Sequence, residues 1–161
     1  MNIEAAVKGR RSIRKFLNKD IPPEVIRDIL EAARWSPSWG NTQSWNFHVI
    51  TGESLARFKE ANQRLLIDDT PSTPDIPMPE SWPDACRLRY NDMGRRLYDS
   101  LGIARRDTDA RRKLRIKMAY LFDAPCLIVP TIHKDNAVEY AMLDIGLIVQ
   151  TLCLLAHGQG L

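Results

Sequence analysis

Three arginines and a serine lie within five residues near the start of the chain, directly after Gly9: Arg10, Arg11, Ser12 and Arg14. An arginine side chain presents a planar fork of N–H donors that matches two oxygens of a phosphate, and a hydroxyl adds a further donor. A phosphate or another small anion is therefore a candidate ligand of this segment. A solvated basic turn would have the same composition, and at this stage both interpretations stay open.

A second stretch that could do chemistry, residues 36–45, has the sequence SPSWGNTQSW. It carries small hydroxyls and two carboxamide side chains, Asn41 and Gln43, between a predicted helix and a predicted strand. A carboxamide both donates and accepts hydrogen bonds, so this set complements a heterocycle edge with alternating carbonyl and N–H groups, as in uracil. The alternative is a polar turn that only connects the two elements.

Other kinds of site lack their usual residue patterns. The three histidines form no HxxxH or HExxH arrangement, which disfavours a metal site; they are His48, His133 and His157. The three cysteines form no CxxC pair, and their odd number indicates a reducing compartment; they are Cys86, Cys126 and Cys153. The last two lie in apolar runs, where we expect them to pack as small hydrophobic side chains. No GxGxxG, Walker A or GxSxG motif occurs.

Length and composition are typical of one globular domain spanning residues 1–161. Hydrophobic residues make up 44% and charged residues 27%, and a formal net charge of only +3 argues against a polycationic nucleic-acid binder. The N-terminus has no apolar segment of the kind found in a secretory signal. The uncharged run Ile145–His157 has 13 residues, too few to span a bilayer, and predicts a buried helix. We therefore expect a soluble, cytoplasmic protein that binds neither nucleic acid nor a membrane.

The elements that must position these segments are several helices and two short strands. Apolar residues at helical spacing and capping residues predict helices at 3–8, 53–66, 84–101, 107–121 and 136–157. A further helix is predicted to open at Ile21–Glu24, with apolar positions on one face from Val25 to Ala33. Aromatic and β-branched runs predict strands at 45–51 and 124–129. Five prolines fall within residues 67–83, which we interpret as an excursion over a single domain. The predicted class is α+β (mixed α/β), with a small central sheet surrounded by helices.

Several motifs, in order along the chain, resemble those of the FMN-dependent nitroreductase family. They begin with RRSIRKF at residues 10–16 and SPSWGNTQSWNF at residues 36–47, and matching stretches follow at 122–125, 144–150 and 154–161. The resemblance runs from about residue 3 to the last residue, and residues 90–111 are similar to the branch that acts on nitrobenzoates and related nitroaromatics. It implies a nitroreductase-like fold, an FMN cofactor, NAD(P)H as reductant, and nitroaromatic or quinone-like acceptors.

The resemblance also implies roles for individual residues. Four would hold the FMN phosphate and ribityl chain: Arg10, Arg11, Ser12 and Arg14. Four more would come from the partner subunit of a homodimer and line the isoalloxazine ring: Pro37, Ser38, Trp39 and Asn41. Gln43 would support that loop or reach the flavin, and Lys117 would place a cation near the flavin ring. Hydride transfer would take place at flavin N5, with no catalytic side chain required.

The end of the chain departs from the family pattern. Nitroreductases normally continue beyond the glycine pair within residues 158–161 with a further strand, a flavin-contacting loop and an arm around the partner. We therefore expect that the C-terminal part of the domain is missing here. A non-catalytic nitroreductase fragment is one alternative function that follows from this expectation.

An anion-binding or nucleic-acid-binding module is the alternative from another functional class. Residues 87–117 contain eleven lysines and arginines against four aspartates, and such a stripe could follow a row of phosphates. A solvated helix face with the i,i+4 pairs Asp107–Arg111 and Asp109–Lys113 would account for the same residues. A flavoprotein would be yellow when purified, whereas a nucleic-acid binder would copurify with material that absorbs near 260 nm.

Overall fold

The computed structural model describes residues 2–161 and contains six α-helices and two strands in that part of the chain. In chain order they are α1 (Ile3–Gly9), α2 (Pro23–Ala33), β1 (Trp45–Thr51), α3 (Gly52–Ile67), α4 (Asp84–Ser100), α5 (Thr108–Ala119), β2 (Cys126–Ile132) and α6 (Val138–Gly158). Short 3-10 turns at Trp39–Asn41 and Leu121–Asp123 precede the two strands. The α+β class is confirmed, and each predicted helix is present with ends that differ by at most two residues.

Local sequence signals set where several helices begin. The Asn2 side chain accepts a hydrogen bond from the Ala5 N–H at 2.7 Å and caps α1. Pro23 occupies the first turn of α2, where its missing N–H costs nothing. The Asp107 carboxylate accepts a hydrogen bond from the Ala110 N–H at 2.8 Å and caps α5. Side chains of this kind satisfy N–H groups that have no partner within the helix.

The two strands pair in an antiparallel sheet whose register runs from Trp45 opposite Ile132 to Thr51 opposite Cys126. The predicted bounds of β1 are confirmed, but those of β2 are wrong, because the strand begins later and continues through Pro130 to Ile132. Residues 121–123 all have positive φ, between 51° and 66°, so the chain turns shortly before β2 begins. Pro130 is tolerated because β2 has only one neighbouring strand in the described residues.

The helices α2 and α6 form the principal core. Ile29 and Ala33 of α2 pack with Ile148 and Leu152 of α6, and each pair is spaced four residues apart and therefore lies on one helix face. Trp45 and Phe47 of β1 are half-buried against this cluster. The core thus joins α2, α6 and one face of the sheet.

Chain contacts divide the structure into two compact units. The first comprises the residues up to Arg57 together with Asp123–Leu161, and the second comprises Phe58–Phe122. The first unit holds α1, α2, both strands and α6, whereas the second holds α4 and α5. Residues 68–83 contain no helix or strand, as expected of the proline-rich excursion.

The second unit contains several cation contacts that differ from those predicted. Neither of the predicted pairs Asp107–Arg111 and Asp109–Lys113 forms among residues 2–161. In the first pair, Asp107 caps α5 instead, and the Arg111 guanidinium lies 4.3 Å from the centre of the Tyr98 ring. Asp92 instead bonds Arg95 and Arg96 on α4, and these two hydrogen bonds lower the pKa of the Asp92 carboxyl. Part of the basic stripe is therefore engaged within its own helices.

The expectation that α6 is largely buried is wrong. Only four of its 21 residues are buried: Ala141, Asp144, Ile148 and Leu152. Their spacing of three to four residues places them on one face, whereas Leu143 and Leu147 are exposed, Leu143 by 60%. The 21-residue helix α6 contains an 18-residue window with a mean hydropathy of 1.6, so by length and composition alone it could cross a membrane, although the shorter run Ile145–His157 could not.

Truncating the core at Ile148 should destabilise the protein more than any exposed substitution. Ile148 is fully buried between α2 and its neighbours on α6, so Ile148→Ala leaves a cavity and is expected to cost about 2–5 kcal/mol of unfolding free energy. Leu17 is 80% exposed, and Leu17→Ala should change the unfolding free energy by less than about 0.5 kcal/mol. Urea denaturation followed by circular dichroism measures both, and equal midpoints for the two variants would contradict this assignment of the core.

Candidate functional site

The arginine segment, residues 10–14, continues directly from the end of α1 without regular secondary structure. The last residue of α1, Gly9, lies against α6, where a Cβ atom would come within 2.6 Å of the His157 Nε2 atom. Glycine at this position lets the end of α1 approach α6 closely. The start of the arginine segment is therefore fixed next to the C-terminal turn of α6.

The three arginines of the segment differ in their hydrogen bonds. Arg11 donates to the carbonyls of Lys8 and Arg10, at 2.5 and 2.9 Å, and Arg14 donates to the Ser12 carbonyl at 3.2 Å. The Arg10 Nε atom is buried and has no hydrogen-bond partner within the described residues. A buried donor without a partner costs free energy that a bound acceptor would recover. Arg10 is therefore the clearest candidate for an anion contact.

A cavity of about 570 Å³ opens beside this segment in the first unit. Arg10, Arg11 and Ser12 line part of its wall, whereas Arg14 does not. The rest of the wall is mainly apolar and comes from α2, the two strands and α6, including Ile29, Phe47, Ile128, Val149 and Leu152. The cavity thus combines a cationic edge with an apolar interior.

The polar loop, residues 36–44, connects α2 to β1 and has an unusual backbone. Gly40, Asn41 and Gln43 have φ values of 55°, 57° and 44°, and only glycine adopts this region without strain. Two hydrogen bonds that involve side chains stabilise the turn, in addition to two between backbone groups of the loop. The Ser38 hydroxyl accepts from the Gln43 N–H at 3.0 Å, and the Gln43 carboxamide donates to Asn41 Oδ1 at 2.9 Å.

Contacts with residues of α6 also hold the polar loop in place. The Asp144 carboxylate accepts from the Trp39 N–H at 3.0 Å, and the Ser36 hydroxyl donates to Thr151 Oγ1 at 2.8 Å. The Trp39 and Tyr140 rings lie 5.2 Å apart at an interplanar angle of 57°. Sequence reasoning identified Asp144 only as part of a matching motif and missed this contact. The available signal was a single acidic residue inside an otherwise apolar run.

The structure places the predicted site residues in three groups. The arginine segment lines the cavity in the first unit, and the polar loop lies on α6 in the same unit, with Trp39 exposed by 63%. No hydrogen bond joins these two segments among residues 2–161. Lys117 is exposed on α5 in the second unit, and its expected contact with the flavin stays a prediction.

Comparison with known proteins assigns the chain to a class. A family model described as "Nitroreductase family" matches residues 7–161, and the chain belongs to this family. It is 35% identical over 164 residues to nitrobenzene nitroreductase of Ectopseudomonas oleovorans, a match that covers 99% of this chain and 70% of that protein. It is 30% identical over 166 residues to 4-nitrobenzoate reductase of Nocardioides sp. (strain LMS-CY), covering 98% of this chain and 65% of that protein.

A solved structure gives the same assignment for the fold. The crystal structure of the FMN-dependent nitroreductase NfnB from Mycobacterium smegmatis in complex with NADPH superimposes with a TM-score of 0.91 at 32% identity, covering 98% of this chain and 70% of that one. The expected nitroreductase-like fold is therefore confirmed. The chain spans about two thirds of the length of these relatives.

Two cysteines that line the cavity should differ in reactivity toward iodoacetamide. Cys153 is exposed, whereas Cys126 is half-buried and its burial raises the pKa of the thiol. Because the thiolate is the nucleophile, Cys126 should react more slowly at pH 8 in the folded protein. Peptide mass spectrometry after timed alkylation measures both rates, and the difference should disappear in urea. Faster alkylation of Cys126 in the folded protein would contradict the burial described here.

Proposed function

We propose that this chain is a flavin oxidoreductase that uses FMN to transfer hydride from NAD(P)H to nitroaromatic or quinone-like acceptors. Membership of the nitroreductase family supports the reaction class. Relatives described as nitrobenzene nitroreductase and 4-nitrobenzoate reductase support nitroaromatic acceptors, and the similar structure described as FMN-dependent and bound to NADPH supports both cofactors. The single structural observation that carries the proposal is the buried, unpartnered Nε atom of Arg10 at the edge of the cavity.

The residues of the arginine segment fit the phosphate end of FMN. Arg10 offers an unused buried donor, and Ser12 offers an exposed hydroxyl beside it. Arg11 and Arg14 bond only nearby carbonyls, so their remaining guanidinium N–H groups are available to an anion. The three arginines would hold the phosphate dianion of FMN by charge-assisted hydrogen bonds. We assign the phosphate and ribityl contacts to these four residues.

The polar loop fits the flavin ring. Pro37, Trp39 and Asn41 are exposed, and Ser38 is half-buried with its hydroxyl accepting from the loop backbone. The contact between Gln43 and Asn41 makes Gln43 a support of this loop. An exposed indole and carboxamide suit a flat heterocycle with polar edges. Lys117, on α5 in the second unit, is proposed as a cationic flavin contact on the family resemblance alone.

Bound FMN would supply the hydride chemistry itself, so the protein has to bind, orient and shield the reactants. The arginine segment would fix the phosphate, and the polar loop would fix the ring plane. Neither segment contains a side chain that has to donate a proton, because solvent can reach the exposed loop. The proposed site is therefore one of positioning rather than of acid–base catalysis.

The exposed face of α6 supports the proposal of a homodimer. Leu143, Gly146 and Leu147 are exposed, and Leu154 is half-buried, at spacings of three, four and eleven residues from Leu143. Such an apolar stripe is costly in water and is typical of a helix that packs against another protein surface. We propose that a second copy of this chain covers it, and that the partner's polar loop contributes to the flavin site.

The proposed setting is the cytoplasm, where the three free cysteines stay reduced. We also propose that both compact units belong to one domain, because the family model matches continuously across them. Nucleic-acid binding by residues 87–117 is less favoured, since the family match gives no support to it and several arginines of α4 and α5 are engaged by neighbouring residues.

Substitution of Arg10 should weaken the binding of FMN but not of riboflavin. Loss of one charge-assisted contact corresponds to about a ten- to hundredfold higher Kd, and Arg10→Lys should recover only part of it because the planar fork is lost. Arg14→Ala should behave in the same way. Arg27→Ala, on the exposed side of α2, is the matched control and should bind FMN as the wild type does.

Flavin fluorescence titration with FMN and riboflavin measures these affinities, and the visible spectrum of the purified protein shows whether flavin is bound at all. Equal FMN affinity in wild type, Arg10→Ala and Arg14→Ala would remove the arginine segment from the phosphate site. A protein that binds no flavin when FMN is added would contradict the proposed function itself.

A charge on the exposed stripe of α6 should dissociate the dimer. Leu143→Glu places two carboxylates in an apolar contact, so sedimentation velocity at micromolar concentration should show a monomer where the wild type is a dimer. Leu65→Glu introduces the same charge at an exposed leucine of α3 and should stay dimeric. A monomeric wild type, or an unaffected Leu143→Glu dimer, would rule out this interface.

A further inference from the structure

Asp144 is an acidic residue in an unusual place, because it is only 1% exposed in the middle of the apolar helix α6. No lysine, arginine or histidine forms an ion pair with it among residues 2–161. Moving a carboxylate out of water is costly unless hydrogen bonds compensate it. The hydrogen-bond partners of Asp144 therefore indicate what the buried carboxyl group does in the structure.

Both partners of Asp144 belong to the polar loop. Oδ1 accepts from the Trp39 N–H at 3.0 Å, and Oδ2 accepts a weaker hydrogen bond from the Thr42 hydroxyl at 3.5 Å. These residues begin and follow the 3-10 turn Trp39–Asn41. An ionised acceptor makes a stronger hydrogen bond to a backbone N–H than a neutral one. Asp144 thus holds the turn at both of its ends.

Two further residues on the same face of α6 contact the loop on either side of Asp144. The Tyr140 ring packs against the Trp39 ring four residues before it, and Thr151 receives the Ser36 hydroxyl seven residues after it. Spacings of four and seven place all three contacts on one side of the helix. Asp144 is the central contact and the only carboxyl group of the three.

The conformation that Asp144 supports is one that the loop sequence does not favour by itself. Asn41 and Gln43 are non-glycine residues with φ values of 57° and 44°, a backbone region with a steric cost for side chains. A strained backbone persists only where surrounding contacts impose it. The hydrogen bond from the Trp39 N–H to Asp144 fixes the start of this turn, two residues before the positive φ of Asn41.

We propose that Asp144 is a positioning residue that fixes the polar loop in the conformation that binds the flavin ring. It acts through the Trp39 amide and the Thr42 hydroxyl and does not itself touch the cofactor. This inference rests on the proposed function, since it assumes that the polar loop binds flavin. It assigns a specific role to α6 in ring binding, separate from the phosphate contacts of the arginine segment.

The first test measures the loop in the protein without flavin. Amide hydrogen exchange followed by NMR should show the Trp39 N–H exchanging at least about tenfold faster in Asp144→Leu, because its acceptor is gone. Asp144→Asn keeps one carbonyl acceptor and should give an intermediate rate. The Ser36 N–H, bonded to the Ala33 carbonyl at 2.9 Å, is the internal reference and should not change. An unchanged Trp39 rate in Asp144→Leu would overturn the tether.

The second test measures flavin affinity. Asp144→Leu should raise the Kd of FMN and of riboflavin by the same factor, about ten- to a hundredfold, because the ring contacts are lost and the phosphate contacts remain. Asp144→Asn should recover part of the affinity. Ile148→Val, one turn further along α6, is the control for general weakening of the core and should leave both Kd values within about twofold.

The outcomes distinguish failure of the proposed flavin function from failure of the positioning role of Asp144. Wild-type protein that binds neither FMN nor riboflavin contradicts the proposed function and with it the flavin role of Asp144, whereas hydrogen exchange still decides the tether. Wild type and Asp144→Leu that bind both flavins equally well overturn the positioning role alone. Suppose that Ile148→Val and Asp144→Leu lower the melting temperature equally and also lose flavin affinity to the same extent. Asp144 then acts only through stability, and the inference is wrong.

Discussion

Ala33 of α2 and Ile148 of α6 are both fully buried where these two helices meet. A small side chain at position 33 lets the helices approach, and the polar loop leaves α2 only three residues later. The loop therefore contacts α6 at Asp144, and the residues of β1 that follow the loop pack against the same core. If this helix contact were lost, the loop would lose its support on α6 and the sheet would lose its packing partner.

The two halves of the proposed site obtain their shapes in different ways. The arginine segment forms hydrogen bonds over one to three residues, to carbonyls of its own stretch of chain, so its side chains can turn to a ligand at little cost. The polar loop depends on contacts made across more than 100 residues of sequence. Three adaptable arginine side chains can bind a phosphate, whereas a planar ring requires a surface that is already formed.

Sequence reasoning succeeded where the determining interactions are local. The cap at Asn2, Pro23 at the start of α2 and the aromatic and β-branched residues of β1 each act within a few positions, and the elements they predict are present. The arginine segment was identified for the same reason, since its residues are neighbours in the chain. The exposure of one face of α6 and the contact between Asp144 and Trp39 depend on which distant elements meet. Periodicity shows that a helix is apolar, but not which part of the chain covers it.

The two-stranded sheet has a consequence for handling the protein. Each strand has one neighbour in the described residues, so one row of backbone N–H and C=O groups on each strand is left without a strand partner. The sequence of β2, CLIVPTI, combines high β propensity with no charge, which is the composition of a segment that recruits other chains into cross-β aggregates. Pro130 lies within this strand and removes one backbone N–H donor from it. Because proline is disfavoured in cross-β assemblies, we expect Pro130 to lower the aggregation tendency of β2.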